Sequence, residues 1–368
     1  MNMALKIGVV GLRGIGNQHA TCHKNDPLAN LVAVCDVVKA RADAAAAKYG
    51  VKAYYSLAEM LRNEELDIVD VTTGGFENGS WHFEPVMEAL EAGVNILVEK
   101  PISNNILEAR QMVAKAAEKR VYLGCNLNHY FTPTAERAMQ YMKEGGVGEL
   151  IYCLHKVGFN GGEVGYQPGT GTRLPGWPYA HLKAFLAHPF SCMRYFCGDI
   201  THVQAFVERP GHRRRANDVM LSVASVNVHF ANGCVGSLLS QRGDAPWGLG
   251  GWWSLEVAGT HGTFCIENCI EKLYYWKAGG NSMGTLAPTE VFDSGIKDFG
   301  QTFPRRLHAY LEDVSNGVFR EDIRASGRDA LATLEYTWAV IESYESGGAM
   351  VRPHALPSLH GDPATLLD

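Results

Sequence analysis

Residues 5–20 read LKIGVVGLRGIGNQHA, and no other stretch constrains the chain as much. An apolar run carrying Ile7, Val9 and Val10 ends at Gly11; Gly14 and Gly16 follow, then a helix-forming segment. Strand, glycine turn and helix in that order suit a dinucleotide pyrophosphate. Glycines let backbone N–H groups close on the phosphates, and the helix N-terminus adds partial positive charge. The spacing is G-x-x-G-x-G rather than G-x-G-x-x-G, with Arg13 where the second glycine would fall. Taken alone, the loop also suits an ordinary strand-to-helix turn.

The next strand narrows the choice. Residues 30–36 read NLVAVCD, an apolar run ending in Asp36. That acid falls about 20 residues past the glycine turn, where it can accept both ribose hydroxyls. An acid there repels a 2′-phosphate and favours NAD over NADP, while Arg13, Lys39 and Arg41 keep NADP open. The other reading of Asp36 is a strand-ending turn residue.

A chain of 368 residues has room for two domains. Its formal charge of −6 argues against nucleic acid as partner. No apolar run approaches the roughly 18 residues of a membrane span, so no membrane partner is expected. The opening MNMALKIGVVG lacks a charged n-region and a cleavage site, and no signal peptide is expected. Nine cysteines scatter without a framework, as reduced thiols of a cytoplasmic protein would. His19, Cys22 and His23 lie on a helix expected against the sheet, and no metal is expected.

Up to about residue 125 strands and helices alternate. Strands are expected at 5–10, 31–35, 52–55, 67–71, 94–98 and 121–124, with helices near 15–25, 39–48, 57–63, 79–92 and 104–119. Most of these strands are continuous apolar runs, the mark of a parallel sheet covered on both faces. Ligands bind beyond the carboxyl ends of such strands. Three stretches sit there: Thr72, Thr73 and Gly74 leading through His82; Glu99-Lys100-Pro101; and NLNHYF at 126–131. Beyond, TPTAERAMQYMKEGGVGEL suggests a helix closed by glycines. The span 158–179 suggests a long substrate-side loop, and HLKAFLAHPFSCMRYFCG a single helix. From 201 to 276 strands with alternating burial imply an antiparallel sheet, with turns at Asn232-Gly233 and 260–262. Closing helices are expected near 303–315 and 326–346. No internal repeat or low-complexity segment appears.

With GLRGIGNQHA, AVCD, HFEPVMEALEAGVNILVEKPIS, GCNLNHYFTP, FANGCVGSLLS, EVAGTHGTFCIEN and LEYTWAVIESYESGGAMVRP in this order, the chain resembles the glucose–fructose oxidoreductase / inositol dehydrogenase / rhizopine catabolism (Gfo/Idh/MocA) family over nearly its whole length. The resemblance implies an α/β N-terminal Rossmann domain over 1–126. It also implies an α+β C-terminal domain over 127–368 with an open, mainly antiparallel sheet, used for substrate binding and for packing into a homodimer or homotetramer.

The resemblance maps the family's lysine onto Lys100, which would hydrogen-bond the reacting hydroxyl and move its proton. Pro101 would fix the backbone there, by a cis bond or otherwise, and Glu99 would orient the loop. Gly11, Arg13, Gly14, Ile15 and Gly16 form the cofactor side, with Asp36, Thr72, Thr73, Gly74, His82, Glu99, Lys100 and Asn128. His82 and Asn128 have structural readings as well, and His19 reads as a packed helix histidine. The family's proton-transfer histidine corresponds to His188, since Arg194-Tyr195 and Gly198 follow in step. Its usual aspartate is Ala184, and the acid often found three residues on is Ser191. His181, seven residues before His188, would share its helix face. Lys183, five before, would be offset by about 140°. Both are further catalytic candidates, and Lys183 could also touch substrate. His129 and Tyr130 are expected to face nicotinamide or substrate. Trp177, Trp252 and Trp253 could stack on sugar rings or pack in a core or subunit interface.

Three functions follow. The first is an NAD-dependent oxidoreductase transferring hydride to or from a secondary hydroxyl or carbonyl of a sugar, polyol or sugar derivative. The second keeps NAD bound and is redox-neutral, as a glycosidase, lyase or epimerase. The third is a dinucleotide-binding sensor or regulator without chemistry.

Overall fold

The computed structural model describes residues 4–75, 81–159, 177–211, 220–242, 251–279 and 287–356. The chain divides into two compact units: 1–128 with 303–334 and 355–368, and 129–302 with 335–354.

The first unit holds a six-stranded parallel sheet. In chain order its strands are β1 Leu5–Val10, β2 Ala29–Cys35, β3 Lys52–Tyr54, β4 Ile68–Val71, β5 Asn95–Val98 and β6 Leu123–Cys125. The spatial order is β3-β2-β1-β4-β5-β6 with every pairing parallel, the doubly wound arrangement whose direction reverses between β1 and β4. Between the strands run α1 Gly14–Asn25, α2 Lys39–Tyr49, α3 Leu57–Asn63, α4 Phe83–Glu91 and α5 Ile106–Lys119. The apolar runs expected to be covered on both faces are covered: Ile7, Val9, Val34, Ile68 and Leu97 are buried together on one face, and Val10, Val69, Val71, Ile96 and Val98 are buried on the other.

Leu307, Tyr310 and Leu311 of the helix Thr302–Ser315 belong to that same core. The Tyr310 hydroxyl donates to the Ile96 carbonyl at 2.7 Å, and Arg306, fully buried, donates twice to the Cys125 carbonyl. A boundary drawn once along the chain at 126 assigns this helix to the later domain. Its 3.6-residue pattern says only that one face is covered, not which sheet covers it.

In the second unit an eight-stranded sheet runs β14-β13-β12-β11-β7-β10-β9-β8. Its strands are β7 Leu150–Phe159, β8 Ile200–Glu208, β9 Val223–Phe230, β10 Val235–Arg242, β11 Trp253–Gly259, β12 Gly262–Glu267, β13 Lys272–Lys277 and β14 Glu290–Asp293. All pairings are antiparallel except β7 with β10. β7, in the middle, was not among the expected strands. Its buried residues Cys153, His155 and Val157 do alternate, but a histidine and a following lysine mask the period. Short β14 was not expected either.

α6 Pro133–Lys143 follows the first unit's last strand, with the Thr132 hydroxyl accepting from the Ala135 N–H. The single helix expected at 181–198 is two: α7 Ala180–Phe185 and α8 Ala187–Cys197. Pro189 has no N–H for the Phe185 carbonyl, so the ladder cannot run through. The face-sharing expected of His181 and His188 on one straight helix therefore does not apply. Most of the expected substrate-side loop, residues 160–176, lies outside the described residues.

Candidate active site

β1 delivers the chain to Gly11 at φ +93°, where a Cβ would stand 2.7 Å from the Thr73 nitrogen. At Gly16, inside α1, a Cβ would stand 1.7 Å from the Gly11 carbonyl oxygen, so no larger residue fits. A Cβ on Gly14 would meet nothing within 4 Å. Arg13 precedes α1 without a side-chain cap, and the first turn holds no acid, which leaves the helix end favourable to an anion. Beside this turn is a cavity of about 500 Å³ lined by Gly11, Arg13, Asp36, Thr72, Thr73 and Gly74 among others. Ile15, exposed, does not line it. The Thr72 hydroxyl is turned to the chain, donating to the Gly11 carbonyl at 2.7 Å, and that of Thr73 donates to the Trp81 carbonyl.

Asp36 accepts four hydrogen bonds, from the Leu12 and Val38 N–H groups and twice from the Arg41 guanidinium, at 2.8–3.0 Å. Burial opposes its charge, but Arg41 and the two backbone donors outweigh it and hold the carboxyl below its usual range. The backbone bonds fix the carboxylate, and its charged partner Arg41 is half-exposed.

Beyond β5 lies Glu99-Lys100-Pro101, with a cis bond between Lys100 and Pro101. One Glu99 oxygen accepts the Lys100 N–H at 3.1 Å, and the other meets His19 Nε2 at 3.0 Å and the Asn126 amide. Glu99 therefore orients the loop from below. His82 is buried, and its Nδ1 donates to the Pro101 carbonyl at 2.9 Å; it makes no cap bond to α4. Burial depresses the His82 ring's basicity, consistent with a neutral donor. Asn128 is buried at the first unit's edge.

In the second unit His129 and His188 come together, ring centroids 3.8 Å apart. Phe299 packs on His129 at 4.8 Å and Trp252 meets it edge-on at 6.4 Å. The His129 carbonyl accepts from the Cys269 thiol. Both histidines are buried. The Phe185 ring links His188, at 5.8 Å, to His181, at 5.1 Å. Tyr130 stacks on Tyr195 at 4.5 Å, and the Lys183 ammonium lies 5.0 Å over the Trp338 ring. Trp253 is core, edge-on to His155, and Trp177 opens a one-turn 3-10 segment whose side chains begin to be described at Pro178.

Sequence reasoning missed Phe299, which carries no motif, and the contacts of His19, Asp70 and His23. Asp70 had a signal: it is the single charge in the buried run Ile68–Val71.

A family model described as an oxidoreductase family with an NAD-binding Rossmann fold matches residues 5–127. A 1,5-anhydro-D-fructose reductase of Ensifer adhaerens is 32% identical over 315 residues, 81% of this chain and 83% of its own. The chain belongs to the Gfo/Idh/MocA oxidoreductase family. A scyllo-inositol 2-dehydrogenase (NAD(+)) of Bacillus subtilis (strain 168) is 25% identical over 357 residues, 94% of this chain and 96% of that one. In fold, the NAD binding oxidoreductase of Klebsiella pneumoniae superposes with a TM-score of 0.80 at 20% identity, covering 96% of this chain and all of that one. The Gfo/Idh/MocA cofactor, NAD, fits the residues present. Side chains are excluded at Gly11 and Gly16, space is left at Gly14, and a fixed carboxylate stands at the cavity wall.

Proposed function

We propose that this chain is an NAD-dependent dehydrogenase or reductase acting on a secondary hydroxyl or carbonyl of a sugar, polyol or sugar derivative. The observation that carries the reading is Lys100, on a loop after β5 whose backbone Glu99 and His82 hold from two sides. NAD, when bound, accepts or supplies the hydride. The 1–126 segment would hold it, with Asp36 exchanging Arg41 for the ribose hydroxyls. Lys100 donates a hydrogen bond to the reacting oxygen and takes or returns its proton. His188, backed by His129, is the second proton-handling group, and the aromatic surround of Phe299 and Trp252 excludes water there. His181, stacked on Phe185, and Lys183, over Trp338, are the further candidates for moving the proton. The Tyr130 stack supports a packing role.

The named relatives suggest the probes. The purified protein is given 1,5-anhydro-D-fructose with NADH, then inositols, sugars and polyols with NAD. Stoichiometric change in NADH absorbance is expected with at least one, and product formed with no net change in NADH would refute the reading. We further infer a homo-oligomer formed through the outer face of the eight-stranded sheet. Leu154, Phe206, Val235 and Leu239 are exposed there, and a groove of about 740 Å³ includes Leu154 and Leu239. The nine free thiols support a cytoplasmic location.

A further inference from the structure

Beneath Lys100 runs a row of buried polar groups that hydride transfer itself does not call on. His19 of α1 stands between two carboxylates: Nδ1 lies 2.9 Å from Asp70 Oδ2, and Nε2 lies 3.0 Å from Glu99 Oε1. His19 and Asp70 have no exposed side-chain surface. A neutral imidazole carries one N–H and one lone pair, so it can satisfy only one of two facing carboxylates. The imidazolium satisfies both. His23 Nε2 reaches the same Asp70 oxygen at 2.7 Å, and the Asn126 amide donates to the same Glu99 oxygen. The remaining Glu99 oxygen accepts the Lys100 N–H.

We propose that His19, held as an imidazolium between Asp70 and Glu99, is a positioning residue that fixes Glu99 and through it the backbone of Lys100. The inference deepens the proposed function and rests on its role for Lys100. The groups facing the ring are Asp70 from β4, Glu99 after β5, His23 by way of Asp70, and the uncharged Phe303 ring 5.8 Å away on the helix Thr302–Ser315. The Asn126 amide nitrogen after β6, 3.3 Å from Nε2, is a donor that Glu99 takes, and it offers the imidazolium no acceptor. Burial alone would depress the ring's basicity, but Asp70 and then Glu99 outweigh it and push His19 up to about 10.

The test is nitrogen NMR of the full chain labelled with ¹⁵N-histidine, with H19Q and the isosteric D70N alongside. At about pH 8.5, roughly two units above an ordinary histidine, one histidine should keep both ring nitrogens protonated, and its signal should vanish in H19Q. No such histidine in the unaltered protein overturns the proposal, whether or not the variants fold. Positioning is read from the split of constants: kcat should fall on the order of 100-fold in H19Q and D70N, with the Kd for NAD within about threefold. Unchanged kcat in a folded variant also overturns it. If the unaltered chain turns over no sugar or polyol, the proposed function fails, while the spectrum still decides the imidazolium.

Discussion

Lys100 carries the sharpest residue-scale expectation. Lys100→Met keeps the chain length and removes the proton-handling group, so turnover should fall by about 10²- to 10⁴-fold while NAD still binds. Intact turnover would remove Lys100 from the mechanism. At the adenosine end, Asp36→Ala should weaken NAD about tenfold or more, the scale of one charge-assisted hydrogen bond. It also frees Arg41, so the ratio of NADP to NAD affinity should rise, read by paired titrations. The buried histidine gives a pH signature. Its folded value of about 10 lies above the unfolded one, so its contribution to stability is whole below about pH 6.5, shrinks above that and is gone past about 10. Asp70, held below the usual carboxylate range, contributes in the opposite window, above about 3.8, and is lost as acid is added. Melting temperature should therefore decline from pH 7 to about 9.5 more steeply in the unaltered chain than in His19→Gln. Equal slopes would contradict the linkage. Of these residues, Asp36 was legible from its offset past the glycine turn, and Lys100 because Glu99-Lys100-Pro101 follows a strand and the family resemblance gives that lysine its role. The partners of His19 come from 51 and 80 residues away, and no local pattern announces them.

At the scale of elements, the glycine turn is where β1, α1 and the segment after β4 crowd backbone against backbone. Gly16→Ala would drive a methyl against the Gly11 carbonyl, 1.7 Å away, so β1 and α1 must separate. A loss of a few kcal/mol is expected, together with the loss of NAD binding, seen by melting and titration in one sample. The parallel strands were readable because double burial makes them continuous apolar runs. β7 was not, since His155 sits at one of its buried positions. Its ring, driven down to about 4 by burial, behaves there as a neutral side chain. The split of α7 from α8 at Leu186 had its cause in plain view at Pro189, but the histidine spacing drew a continuous helix over it.

For the whole molecule, the outer face of the eight-stranded sheet makes the prediction. Phe206 is 65% exposed and Leu239 46%, and like charges placed there should oppose pairing of two copies. Phe206→Glu with Leu239→Glu is expected to lower the mass measured by light scattering, with the NAD affinity of the chain retained. An unchanged mass would move the interface elsewhere. Along the chain, the amino-acid sequence alone determined the alternation of strands and helices up to about residue 125, the strands buried on both faces, the glycine turn with Asp36, and the placing of Glu99-Lys100-Pro101 at a strand's end. These rest on interactions within a few residues or on periodicity, which the chain displays directly. The tertiary structure alone decided that the helix Thr302–Ser315 completes the first unit's core, that β7 pairs parallel with β10, and that His129 meets His188. It also decided that His19 lies between two carboxylates. An amphipathic face or a buried polar group requires a partner, and only the folded chain chooses which one.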